Sequence, residues 1–187
     1  MSVKSQIKEK WLLYRLEVKK DPEAFGELYD LYAPRIYRFI YFKISSGPDA
    51  EDITAEVFLK VWEHIRNGRE VRKFAGLLYK VARNKVIDFY RDRKVKVEAL
   101  DENMLEQLSD LGAVQKNLEA RDELQNLIKS LRLLKDEYRE AITLRFIDGL
   151  SIGEIAEILN KTQINTRVLL HRAQKTLKKI LAAQEQK

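Results

Sequence analysis

The segment 49–65, DAEDITAEVFLKVWEHI, gathers five carboxylates (Asp49, Glu51, Asp52, Glu56 and Glu63) around one base, Lys60. Carboxylates at this density could bind a metal, but a hard-cation site wants oxygens converging from a bent, glycine-containing loop. This segment has no such loop and no histidine on the acidic face. Catalysis has little to draw on elsewhere. His64 and His171 are the only histidines, there is no cysteine, and no Gly-rich phosphate loop, Gly-x-Ser-x-Gly or His-Glu-x-x-His occurs. On a helix advancing about 100° per residue, with Asp52 at 0°, Glu63, Glu56 and Asp49 fall at about 20°, 40° and 60°. Ala50, Val57, Val61, Ile65 and Phe58 fall at about 140–240°, opposite the acids, and Leu59 falls at about −20°, inside them. A leucine ringed by carboxylates on an outer face suits contact with a protein, not with DNA.

Two other stretches have the opposite chemistry. Residues 72–94, RKFAGLLYKVARNKVIDFYRDRK, interleave bases with Tyr79, Phe89 and Tyr90 and include the amide Asn84. Rings stack on unpaired bases and an amide can read a base edge, so this pattern fits single-stranded nucleic acid. Aromatics at helical spacing also belong to cores, and at least half of these are expected to be packed. Residues 150–177, LSIGEIAEILNKTQINTRVLLHRAQKTL, read as a helix-turn-helix. Ile152, Ile155, Ala156 and Leu159 form the inner face of its first helix. Thr166, Leu170, Ala173 and Leu177 form that of the second. Gln163, Arg167, His171, Arg172, Lys175, Lys178 and Lys179 are left outside, where a recognition helix meets the major groove and its phosphates.

The elements that must position these residues are helical throughout. Asp21-Pro22 reads as an N-cap followed by proline, and Ala33-Pro34 is expected to break or kink the helix that follows. Pro48 opens the acidic helix and NGRE (67–70) closes it. A long helix is predicted from about Arg72 to Lys94. Residues 133–150, LLKDEYREAITLRFIDGL, read as one amphipathic helix stopped by Asp148-Gly149. SIGE (151–154) is a capping box, and Thr162 can cap the last helix.

The 187 residues carry 35 Lys+Arg and 29 Asp+Glu, and the charge is segregated. Residues 1–94 hold 20 bases and 14 acids, 95–126 hold 3 and 8, and 127–187 hold 12 and 7. Two basic lobes joined by an acidic connector suggest two contacts with a polyanion. No apolar run approaches the roughly 20 residues of a membrane span, and the N-terminus lacks the pattern of a signal peptide. A cytoplasmic protein without membrane insertion is expected. The predicted fold class is all-α, with two small helical domains (1–94 and 118–187) joined by an acidic linker (95–117).

In this order the pieces resemble a bacterial RNA polymerase sigma factor of the extracytoplasmic-function type. DPEAFGELYDLYAPRIYRFI resembles the first helix of sigma domain 2. DAEDITAEVFLKVWEHI is similar to the family's polymerase-binding segment, and FAGLLYKVARNKVIDFYRDRK to the segment that melts and reads the −10 element. LKDEYREAITLRFIDGLSIGEIAEIL with LHRAQKTL resembles domain 4, the reader of the −35 element. The resemblance implies a non-enzymatic, cofactor-free initiation factor that binds core polymerase and opens promoter DNA. Its partners would be the clamp helices of the largest subunit, the flap of the second-largest subunit, double- and single-stranded promoter DNA, and an anti-sigma factor.

The expected core-polymerase contacts are Asp49, Asp52, Glu56, Leu59 and Glu63. The expected −10 contacts are Arg69, Arg72, Lys73, Tyr79, Lys80, Arg83, Asn84, Lys85 and Arg91, with Asn84 beside a flipped base. The expected −35 contacts are Thr162, Gln163, Arg167, His171, Arg172 and Lys175. The chain departs from the family pattern at Ala55, Leu77, Lys161 and Thr166. Ile164 and Val168 should point toward DNA, where apolar groups can read thymine methyls. The alternative reading is that so weakly polar a reader has poor −35 specificity, with promoter choice then leaning on the −10 contacts or on a second DNA-bound partner. The competing functions are a stand-alone helix-turn-helix regulator, or a sigma-like adaptor that binds only proteins.

Overall fold

The computed structural model describes residues 3–44, 46–71, 73–93, 126–127 and 129–184. The predicted linker 95–117 therefore lies outside the described residues, as does Arg72. The chain divides into two compact units, Met1–Leu100 and Asp101–Lys187. All regular structure among the described residues is helical.

The N-terminal unit contains α1 (Val3–Glu17), α2 (Glu23–Ile44), α3 (Gly47–Arg66) and α4 (Phe74–Arg93). Its core is aromatic. Tyr32, Phe39, Phe74 and Tyr79 are all but fully buried, with Leu12, Leu28, Ile36, Ile40 and Leu78 between them. Phe74 meets Phe25 and Tyr32 edge-on, and Tyr79 meets Phe39 at 90°, the geometry that ring quadrupoles favour. Truncating such a ring to alanine costs about 3–5 kcal/mol.

Asp21 starts α2 as expected, its Oδ1 accepting a hydrogen bond from the Glu23 N–H at 3.0 Å. Pro34 does not break the helix, which continues to Ile44. Leu28 and Tyr32 before the proline and Ile36, Phe39 and Ile40 after it are buried on one face. This shared core outweighs one missing N–H, while Asp30, whose carbonyl loses that donor, is solvent-exposed. Pro48 stands in the first turn of α3, and Gly68 (φ 72°) follows its C-cap at Asn67.

In the C-terminal unit, residues 126–127 and 129–132 are helical. After them come α5 (Asp136–Ile142), a π-helical turn (Thr143–Ile147), α6 (Ile152–Leu159) and α7 (Gln163–Gln184). The single helix expected over 133–150 is thus not continuous. Residues 133–135 form a turn in which the Leu134 N–H reaches the Leu131 carbonyl, and α5 starts where Asp136 and Glu137 complement its N-terminal dipole. The chain then widens into the π turn, closing Asp148 N–H to the Thr143 carbonyl and Leu150 N–H to that of Leu144. Leu131, Leu134, Ile142 and Ala173 form one core cluster, with Tyr138, Leu177 and Ile180 packed at its margin, and Leu144, Leu150 and Ile155 are also buried.

Candidate polymerase and nucleic-acid interfaces

On α3 the helical wheel is realised. Ala50, Ile53, Thr54, Val57, Phe58, Val61 and Ile65 are buried. Asp52, Glu56 and Glu63 are exposed, with Asp49 half-buried at the end of the row. Leu59 stands among them at 58% exposure. Ala55 is also exposed, so this departure from the family pattern leaves the core untouched.

On α4 the core takes Phe74, Ala75, Leu78, Tyr79, Ala82 and Val86. Tyr79 therefore departs from its expected role: a ring with no exposed surface, set against Phe39, cannot stack on a nucleotide and instead anchors the helix. Phe89 and Tyr90 are half-buried, and the Tyr90 hydroxyl donates to the Lys43 carbonyl. Lys80, Asn84, Ile87 and Arg91 remain exposed, at steps of 4, 3 and 4. That spacing places them in one row along the helix. Arg91 bonds Asp88 at 3.0 Å. Arg83 and Lys85 are half-buried beside the row, and Lys73 and Arg69 are exposed before it.

Two contacts join α4 and the loop before it to other elements, and neither was visible in the sequence. Lys85 Nζ lies 2.6 Å from Glu56 Oε2, linking the basic helix to the acidic stripe. Glu17, at the end of α1, accepts the Val71 N–H at 3.0 Å and so ties down the loop that leads into α4. Helix α1 is held in turn by buried Leu12 and Leu16, by the Tyr32 hydroxyl donating to Glu9 at 2.7 Å, and by Arg15. The Arg15 guanidinium bonds Asp21 at 2.6 Å and Glu27 at 2.7 Å, and it holds both carboxyls below the usual carboxylate range.

The helix-turn-helix is present as read. Ser151 Oγ accepts from the Glu154 N–H at 3.3 Å while Glu154 Oε2 accepts from the Ser151 N–H at 2.8 Å, a complete capping box. Asn160 takes the left-handed conformation (φ 53°) that ends α6. Thr162 Oγ1 caps α7 by accepting from the Asn165 N–H at 3.1 Å. Thr166 is fully buried, and its hydroxyl is satisfied by donating to the Thr162 carbonyl at 2.9 Å. Leu169, which the wheel did not single out, is also buried.

Thr162, Gln163, Arg167, His171, Arg172 and Lys175 are all exposed. Lys161 bonds Glu137 at 2.7 Å and so fastens the turn to α5. Beside the C-terminal half of α7 lies an apolar groove of about 370 Å³, bordered by Leu127, Leu131, Phe146, Ile147, Leu177 and Leu181. Phe146 at its rim is 56% exposed.

Among the described residues, no group of three or more His, Asp or Glu is placed to hold a metal ion, and no helix is long and apolar enough to cross a membrane.

Comparison with known proteins agrees with this geometry. Residues 28–95 match the family model "Sigma-70 region 2" and residues 124–177 match "Sigma-70, region 4". The chain is 34% identical over 192 residues to the ECF RNA polymerase sigma factor SigW of Bacillus subtilis, covering 97% of both chains. It is 33% identical over 166 residues to the ECF RNA polymerase sigma factor BldN of Streptomyces coelicolor, where it covers 86% of this chain and 61% of the relative. Among solved structures, CnrH in complex with the cytosolic domain of CnrY aligns at a TM-score of 0.68 with 22% identity, covering 94% of this chain and 98% of that one. The sigma factor RpoE bound to the anti-sigma factor NepR, from Bartonella quintana, aligns at 0.67 with 22% identity, covering 84% and 96%. Those two likenesses bear on the fold. An acidic helix followed by a basic one, a capped helix-turn-helix, the two sigma-70 region matches and near-complete coverage of SigW establish that the chain belongs to the extracytoplasmic-function sigma factors of the sigma-70 family.

Proposed function

We propose that this sigma factor docks on core RNA polymerase through α3, opens and reads the −10 element with α4, and reads the −35 element with α7. In this reading residues 1–94 form domain 2, 118–187 form domain 4, and the acidic 95–117 tethers them. The observation that carries it is the division of labour between consecutive helices. Helix α3 exposes Asp52, Glu56, Leu59 and Glu63, while α4 exposes Lys80, Asn84, Ile87 and Arg91. Acid repels phosphate and suits a basic protein surface, whereas lysines and an amide suit unpaired DNA. No covalent chemistry is needed, because opening follows from preferential binding of the unpaired strand.

The supporting roles follow from position. Arg69 and Lys73 flank the loop held by Glu17 and lie near the melted strand, with Arg72 between them in sequence. Arg83 and Lys85 steer phosphates toward Asn84. Asp49 extends the α3 contact. Thr162 presents the start of α7, Gln163 and Arg167 meet base edges, and His171, Arg172 and Lys175 follow the backbone. The apolar groove beside α7 fits an apolar segment of the polymerase flap. A relative's capture by an anti-sigma factor supports the same mode of control here, with the chain working on chromosomal DNA in the cytoplasm.

Footprinting the full chain with and without core polymerase tests this. Promoter protection and permanganate-reactive thymines near −10 should require both components. Tight, sequence-specific protection by the chain alone would instead make it a stand-alone regulator.

A further inference from the structure

We propose that Ile164 and Val168 are direct readers of thymine methyl groups in the −35 element, an inference that rests on the assignment of α7 to the major groove. With Ile164 at 0° on the α7 wheel, Val168 falls at about 40°, His171 at about −20° and Lys175 at about 20°. Arg167 and Arg172 flank this ridge at about −60° and 80°. The buried Thr166, Leu169, Leu170 and Ala173 occupy the far side.

The two apolar side chains thus stand at the centre of the exposed face, in the N-terminal half that enters the groove, with cations on either side. They are not borrowed from the core: Ile164 is 70% exposed and Val168 44%. Residues 161–179 carry six bases and no acid; Lys161 is paired with Glu137, and the exposed Arg167, Arg172 and Lys175 give the surface around the pair its complementarity to a polyanion. In the major groove the apolar group that a base pair presents is the thymine C5-methyl. Four residues of helix rise about 6 Å, close to the about 6.8 Å of two base steps. The pair can therefore seat two methyls about two steps apart, with Gln163 and Arg167 placed to read neighbouring base edges.

The test begins with binding-site selection by the full chain with core polymerase. Deoxyuridine then replaces each thymine of the selected −35 element, removing only the methyl. Covering one methyl is worth about a fourfold change in affinity, so each contacted position should lose about fourfold and a pair about 15-fold. Ile164→Ala and Val168→Ala, both at exposed helix positions that alanine tolerates, should each erase the sensitivity at one position while helix content by circular dichroism is unchanged.

A −35 element that binds equally well with thymine or deoxyuridine overturns the inference and leaves the docking of α7 intact. The same holds for a selected element without thymine. Absence of any −35 protection by the holoenzyme overturns the docking itself, and the inference with it.

Discussion

Leu59→Ala is the sharpest perturbation of the α3 surface, because it leaves every charge in place. Leucine and alanine are both strong helix formers, and the side chain is 58% exposed, so stability should change by less than about 0.5 kcal/mol. Burying a whole leucine side chain is worth about 1.5–3 kcal/mol. Scaled by the fraction still open to water, contact with polymerase would gain about 0.9–1.7 kcal/mol, equivalent to about five- to eighteen-fold in Kd. Titrating core polymerase into labelled full-length protein, followed by fluorescence anisotropy, measures this directly. The loss should be nearly the same at low and high salt, because apolar burial is not screened, whereas wild-type affinity itself should fall with salt through the acidic stripe. An affinity unchanged within twofold, with helix content intact, would refute the placement of Leu59 in the interface. A loss that vanishes at high salt would refute the apolar contact.

Four further outcomes follow. Asp52→Lys with Glu56→Lys should weaken core binding and flatten its salt dependence; since Glu56 also bonds Lys85, a melting-temperature drop worth up to about 1 kcal/mol should accompany it. Asn84→Ala should lower permanganate reactivity of −10 thymines several-fold while leaving core affinity unchanged, because Asn84 is exposed on α4 whereas the acidic stripe belongs to α3. Ser151→Ala removes the capping box of α6 and should destabilise the C-terminal unit by about 1 kcal/mol, read from its thermal transition. Asp21 and Glu27 lie below their ordinary range because Arg15 bonds them. Their stabilisation is therefore present above the ordinary carboxylate pKa and is lost as pH falls through the lowered values. Arg15→Met should make the acid transition of the N-terminal unit begin at higher pH, checked by circular dichroism.

Much of this was legible in the sequence because it rests on local rules. The α3 wheel, the capping box, the Asn160 turn and the exposure of Asn84 all follow from spacing and capping chemistry. What sequence reading missed depends on contacts distant along the chain. Tyr79 shares helical spacing with Ala75, Ala82 and Val86, which favours the core, while the bases and aromatics around it suggested a nucleotide contact; Phe39, forty residues earlier, is the ring it packs against. Pro34 survives inside α2 because the core on both sides is shared. The Glu17 contact to Val71 spans 54 residues, and the Lys161–Glu137 pair joins α7's approach to another helix; no periodicity encodes either. The break at 133–135 is not legible in the sequence because the apolar pattern continues through it, and only the hydrogen-bond route shows where one helix ends and another begins.

Run-off transcription with purified core polymerase, the full chain and a selected promoter tests the central claim most directly. A transcript of defined length should appear only when the chain is added. It should weaken with Asp52→Lys plus Glu56→Lys at limiting protein, and recover as protein is raised. A chain that binds core polymerase but yields no promoter-specific transcript at any concentration would contradict the account.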